Sequence, residues 1–214
     1  MKKKNIVFIS GNEGKRKEVE EILGSEKYCI INIDLDVPEL QTISVEEVTK
    51  EKIRSAYELL KKNFSEVIKK FAEKGVSVDN VNDVIVICED TGLYIDDMND
   101  FPGALIKFYL GSLNIDGIVK MNGGSLAKAE TVIGVIKYGK IMKPISGTRK
   151  GKIAKKIVSK DSFGWDPIFI PDLTKTKYSE YNGKTYAELK KLEIKNEISH
   201  RKNAFDKFKK SILK

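Results

Sequence analysis

Four consecutive apolar residues, Ile6-Val-Phe-Ile9, run straight into Ser10-Gly-Asn-Glu-Gly-Lys15, and behind that loop Val19, Ile22 and Leu23 recur at helical spacing until Gly24. A short apolar run bounded by turn residues reads as a buried strand, and the 3.6-residue spacing that follows reads as an amphipathic helix. The chain therefore opens as strand, glycine-containing loop, helix. That order points to the α/β class and places free backbone N–H groups at the head of the helix.

The remaining pattern extends this reading. A second strand is expected over Tyr28 to Ile33. Ser44-Val-Glu-Glu47 has capping-box spacing and starts a helical stretch that runs through Ala56, Leu60, Phe64, Val67, Ile68 and Phe71 to Gly75. At roughly 30 residues it exceeds the ordinary length of about 8–20, so a break is expected at Asn63-Phe-Ser65. Val84-Ile-Val-Ile-Cys88 reads as a buried strand that ends at Glu89-Asp-Thr-Gly92. Phe101-Pro-Gly103 is expected to open a helix, and Gly123-Gly124 to close the one after it. Thr131 to Tyr138 and Ile141 to Ser146 form a hairpin about Gly139-Lys140, Ile153 to Val158 adds a strand, and Asp166 to Ile170 follows a loop. A basic amphipathic helix is expected from about Ile198. The sum is an α/β chain with a mixed sheet flanked by helices, in two lobes with a central cleft.

With 214 residues, 41% hydrophobic and 33% charged, the chain supports one full core or two lobes sharing a sheet. The net charge of +8 favours anionic partners without choosing among nucleotides, nucleic acid and acidic lipid. Cys29 and Cys88 are the only cysteines, which argues against a disulfide framework or structural zinc and for a reducing, cytoplasmic setting. Met1-Lys-Lys-Lys precedes too short an apolar run for a secretory signal, and no stretch has the roughly 20 apolar residues of a membrane span.

Four groups of residues carry candidate chemistry. Ser10-Gly-Asn-Glu-Gly-Lys15 offers backbone donors, a helix dipole and a lysine to a phosphate, although Gly11-x-x-Gly14-Lys15 is too short for a Walker A loop and would equally serve a plain turn. Glu89-Asp90 at a strand end, joined by Glu39, suits Mg²⁺ held by one or two acids together with substrate phosphates. Asp96, Asp97 and Asp100 read as a turn rather than as ligands. Phe163-Gly-Trp-Asp166 can stack a base on an aromatic ring, or simply pin a loop to the core. Ser199-His-Arg201, with Lys195 before it, presents donors that suit the O6 acceptor of hypoxanthine or xanthine and clash with the N6 amino group of adenine.

Together these motifs resemble the inosine triphosphate pyrophosphatase family of house-cleaning nucleotide pyrophosphatases. The resemblance rests on Ser10-Gly-Asn-x-x-Lys15, Pro38-Glu39, Glu89-Asp-Thr91, Pro102-Gly103 with Lys107, Phe163-Gly-Trp-Asp166, and Lys195 to Ser199-His-Arg201, in the family's order and over most of the chain. It implies that Ser10, Gly11, Asn12, Glu13, Gly14 and Lys15 hold a triphosphate, with Lys52 and Lys107 as further cationic contacts. It implies that Glu39 and Asp90 bind Mg²⁺ (Mn²⁺ substituting), that Asp90 orients or deprotonates the attacking water, and that Lys15 assists. Phe163 would stack on the purine, with Gly164, Trp165, Asp166 and Thr91 alongside, and Lys195, His200 and Arg201 would complete the pocket. The implied reaction converts a non-standard purine triphosphate (ITP, dITP or XTP) to the monophosphate and pyrophosphate. The implied assembly is a homodimer of single-domain chains, with no stable nucleic-acid partner and no membrane.

Residues 57–83 depart from that pattern as a Lys-rich, then polar insertion, expected on the surface, or else serving as a lid or dimer extension near Lys52. Two other functions fit parts of the sequence: a related pyrophosphatase of pyrimidine or standard triphosphates, and a basic nucleic-acid-binding protein. A non-catalytic nucleotide sensor would not require the carboxylates.

Overall fold

The fold is that of a computed structural model, which describes residues 3–24, 27–158 and 164–212. The opening strand β1 (Lys4–Ile9) leads to helix α1 (Glu13–Leu23) and strand β2 (Tyr28–Ile33). Helices α2 (Val45–Lys62) and α3 (Phe64–Ala72) precede the long strand β3 (Ile85–Ile95) and the short β4 (Pro102–Gly103). Helix α4 (Ile106–Asn122) is followed by β5 (Leu126–Lys137), β6 (Lys140–Ile141), β7 (Ile145–Ile153) and β8 (Phe169–Pro171). Helices α5 (Tyr186–Lys191), α6 (Lys195–Ile198) and α7 (His200–Ser211) end the described chain. No helix among the described residues is long and apolar enough to cross a membrane.

One mixed sheet runs in the order β2-β1-β3-β5-β7-β8, with β4 on β3 and β6 on β5. The first three strands are parallel and the pairs from β3 to β8 are antiparallel. Helices α1 and α7 cover one face through Val19, Ile22, Phe205 and Phe208 against Ile6, Phe8, Ile85 and Ile87. Helices α2 and α3 cover the other, where Ile53, Leu60, Val67 and Phe71 meet Val7, Ile31, Val86 and Cys88. A further core lies beyond, where Trp165, Phe169, Tyr186 and Leu189 pack with Leu93, Ile95 and α4. The expected α/β mixed sheet flanked by helices is what forms.

Several boundaries differ from the sequence expectation. The acids Glu89 and Asp90 lie inside β3, not at its end, because β3 outruns β1: parallel pairing stops at Ile9 with Cys88, while antiparallel pairing with β5 continues to Ile95. The apolar residues Leu93 and Ile95 sustain the strand past its acids. Pro102 and Gly103 form β4 rather than a helix start, and α4 begins at Ile106 and breaks at Asn114, where φ is 51°, so that two helical segments follow one another there. At Gly103 the backbone has φ 57°, and a Cβ would stand 2.1 Å from the Ile43 carbonyl oxygen, so only glycine allows this close approach. Ile153 ends β7, and residues 154–158 form no strand.

The break at Asn63 occurs where expected, between α2 and α3. Residues 57–83 are not a surface appendage, however. Leu60, Val67 and Phe71 are fully buried, with Val78 beside them. Their apolar spacing follows the core because α3 packs on the sheet. The basic helix α7 likewise lies on the sheet, touching it so closely that a Cβ on Gly147 would stand 2.1 Å from the Ala204 amide nitrogen. Three of its lysines are engaged with the protein: Lys202 with Asp206 at 2.6 Å, Lys207 with the Ser146 carbonyl at 2.7 Å, and Lys209 with the Ile22 carbonyl at 2.5 Å.

Candidate active site

Where β1 stops and β3 runs on, the sheet opens a cleft of about 870 Å³, within the size range of small-molecule sites. At its floor the chain turns from β1 into α1. Asn12 caps α1, its side chain accepting from the Lys15 amide at 3.0 Å, and the Ser10 hydroxyl accepts from the Asn12 amide at 3.2 Å. The first turn of a helix leaves N–H groups without intrahelical partners and concentrates positive dipole, which favours an anion there. Ser10, Gly11, Asn12 and Lys15 line the cleft. Glu13 and Gly14 do not: the helix begins at Glu13, which is exposed and pairs with Lys17 at 2.7 Å one turn along.

The two acids of β3 separate by the period of a strand, in which successive side chains point to opposite faces. Glu89 shares its face with Ile85 and Ile87 and points under α7, whereas Asp90 shares the face of Val86 and Cys88 and lines the cleft. Lys15 spans them, its Nζ 3.4 Å from Glu89 and 3.5 Å from Asp90. Thr91 also lines the cleft. Across from Asp90, α2 contributes Lys52, which binds Glu39 at 2.6 Å. Burial alone would raise the Glu39 carboxyl, but its hydrogen bond to Lys52 and the nearby charges of Lys52, Lys15 and Lys107 bring it below the ordinary range. Lys107 comes from the first turn of α4.

The opposite wall is an ion network that the sequence reading missed at its centre. Glu18 of α1 is buried and accepts from Lys195 at 2.5 Å and from Arg201. Lys195 also binds Asp166 at 2.6 Å, and burial holds the Asp166 carboxyl above the ordinary range. Arg201 grips Glu89 with two donors at 3.0 Å each and donates to Thr91 at 3.1 Å. Arg201, expected to read a base edge, also lines the cleft. Most of its donors are committed to Glu18, Glu89 and Thr91, because a buried guanidinium must be paired. Its chief visible task is to tie α7 to α1 and β3. The sequence offered no sign that Glu18, rather than Glu20 or Glu21, is the buried acid, beyond its flanking Val19.

Above this network, Gly164, Trp165, Asp166, Lys195 and His200 line the cleft. Trp165 lies 5.3 Å from the His200 ring at 30°, and Tyr186 lies 5.7 Å from it at 24°. Burial first, then Arg201 and Lys195, hold the His200 pKa well below its ordinary value, so the ring is neutral at physiological pH. Phe163, the expected stacking ring, lies outside the described residues. Among the lining residues that escaped the sequence reading are Asp36, Gln41 and Phe108, which lie on loops or helix surface and match no motif.

The network makes stability depend on acid pH. Burial would raise Glu18, but Arg201 and Lys195 outweigh it and bring its pKa to about 2. A carboxylate depressed from 4.5 to about 2 contributes its stabilisation above pH 4.5 and loses it as pH falls toward 2. The linked free energy is about 3 kcal/mol. Thermal melts followed by circular dichroism should show Tm falling between pH 4.5 and 2; a flat Tm over that window would contradict the pairing.

Of the acids that face the cleft, Asp36, Glu39, Asp90 and the Lys195-bound Asp166, the pair Glu39 and Asp90 could hold a metal ion. Among the described residues no three acidic, histidine or cysteine side chains converge as a ready-made cage. Two carboxylates at an open cleft would leave a bound divalent cation free to take water and substrate phosphates as its remaining ligands.

The same chain matches proteins of known kind over nearly its full length. The Ham1 family model covers residues 6–211. A dITP/XTP pyrophosphatase of Methanopyrus kandleri is 32% identical, over 95% of this chain and 93% of its own. An inosine triphosphate pyrophosphatase of Scheffersomyces stipitis is 36% identical over 95% of each chain. The solved structure of the Staphylococcus aureus Ham1 protein aligns with a TM-score of 0.62, 27% identity and 98% coverage of both chains. A match spanning β1 to the end of α7 takes in every wall of the cleft, and the chain belongs to the Ham1 family.

Proposed function

We propose that this chain hydrolyses non-standard purine nucleoside triphosphates, ITP, dITP and XTP, to the monophosphate and pyrophosphate. The observation that carries the reading is one cleft that joins a helix N-terminus and three lysines, Lys15, Lys52 and Lys107, to the carboxylates Asp90 and Glu39 at one end and to the aromatic wall of Trp165 and His200 at the other. The first end suits a polyphosphate and the second a planar base. The names of the Methanopyrus and Scheffersomyces relatives support the choice of substrate.

In this reading the triphosphate lies across the α1 N-terminus. Asp90 accepts a proton from a water molecule as its oxygen bonds to the α-phosphorus, and the bond from that phosphorus to the oxygen bridging the α- and β-phosphates breaks. Lys15, Lys52 and Lys107 neutralise the charge that collects on the leaving pyrophosphate. Glu39 and Asp90 would hold Mg²⁺, with Mn²⁺ substituting, and a bound ion there would supply further charge neutralisation at the phosphoryl oxygens. The engagement of Lys202, Lys207 and Lys209 within the protein supports a nucleotide rather than a nucleic acid as the anionic partner.

Product analysis tests the bond cleaved. Incubation with ITP and Mg²⁺ should yield IMP and pyrophosphate in equal amounts, and EDTA should stop the reaction. Release of IDP and orthophosphate would place the attack at the wrong phosphorus and overturn the proposal.

A further inference from the structure

His200 is the single histidine of the chain, and its buried Nε2 has no hydrogen-bond partner among the described residues although the residue lines the cleft. An unmet buried polar atom costs on the order of 1–3 kcal/mol, so this nitrogen is an opening for a ligand. On the far side of the ring, Nδ1 lies 3.3 Å from the Tyr186 hydroxyl. Tyr186 is fully buried, and burial raises its phenol so that the proton stays in place. Among the described residues Nδ1 is the one acceptor within hydrogen-bond reach of the hydroxyl, so its single proton goes there. A neutral imidazole that accepts at Nδ1 carries its own proton at Nε2, because the partner of one ring nitrogen sets the state of the other.

We propose that Tyr186 is a positioning residue that holds His200 in the Nε2–H tautomer, so that the cleft presents a fixed N–H donor to an oxygen at the 6-position of the bound base. Trp165 and Tyr186, packed against the imidazole at 5.3 and 5.7 Å, fix the plane in which that donor points. A 6-oxo purine answers it with an acceptor, whereas the adenine 6-amino group brings donor against donor and leaves both unpaired. The inference rests on the proposed purine triphosphatase activity and names the group that sets its selectivity.

Two measurements test it together. With one histidine in the chain, ¹⁵N spectra of the nucleotide-free protein read the ring directly. The wild type should show a protonated Nε2 and an unprotonated, hydrogen-bonded Nδ1, and Tyr186→Phe should show a mixture of tautomers. The same variant should lower the ITP-to-ATP ratio of kcat/KM by about tenfold or more, chiefly through KM for ITP. A wild-type proton on Nδ1, or a Tyr186→Phe variant with unchanged ring signals or an unchanged ratio, overturns the proposal. An enzyme that prefers ITP but ignores Tyr186→Phe loses only the role of Tyr186. A wild-type enzyme indifferent between ITP and ATP loses the functional reading itself.

Discussion

Replacing Asp90 with asparagine should lower kcat for ITP by about 10²–10⁴-fold, the usual worth of a positioned general base, with little change in KM. Asp90 is the one carboxylate of β3 that faces the cleft, and its nearest cation, Lys15, is 3.5 Å away, loose enough to leave oxygen lone pairs for water. Asparagine keeps the size and one acceptor oxygen but takes no proton at neutral pH. A loss confined to kcat would mark an interaction made in the transition state, whereas a rise in KM alone would mark uniform binding. Steady-state kinetics on ITP separate the two. A variant within about tenfold of wild-type kcat would remove Asp90 from the chemistry.

Glu18→Ala should be the most destabilising single change in the site, by about 3–5 kcal/mol, because it leaves parts of two buried cations uncompensated. Glu18 joins Lys195 and Arg201, which arrive from α6 and α7, and both partners are nearly inaccessible to solvent. For a chain of this size such a loss lowers Tm by roughly 10 °C or more. The exposed pair of Arg54 and Glu51 provides the contrast: Arg54→Ala should cost no more than about 1 kcal/mol. Equal melting curves for Glu18→Ala and Arg54→Ala would show that the network carries no stability. Because the same network seats Lys195, Arg201 and the neighbouring His200, Glu18→Ala should also reduce kcat/KM for ITP at temperatures where the variant remains folded.

These two residues also show what the sequence makes legible. Strand, loop and helix at the N-terminus follow from local signals: an apolar run, an Asn12 cap and a Gly24 stop. The break between α2 and α3 is likewise local, set by Asn63. Asp90 was found by its chemistry, but its place was misread, because the length of β3 depends on pairing with β5, a strand some 40 residues onward. Glu18 was not found at all. In sequence it is one acid among several on a charged helix, and its partner Lys195 lies 177 residues away. Tyr186 sits at the head of a helix with a legible capping box, Thr185 to Glu188, yet its contact with His200 exists only once α5 and α7 share a core with Trp165. Motifs mark the groups proposed to meet phosphate and metal; the residues that hold those groups in place emerge from tertiary packing.

The claim that this cleft selects non-standard purines is tested most directly by kcat/KM for ITP, dITP, XTP, GTP, ATP and dUTP, read as pyrophosphate release with Mg²⁺ present. ITP, dITP and XTP should exceed ATP by at least about 10²-fold, because a donor-built pocket leaves adenine unpaired. Equal turnover of ITP and ATP, or a preference for dUTP, would contradict it.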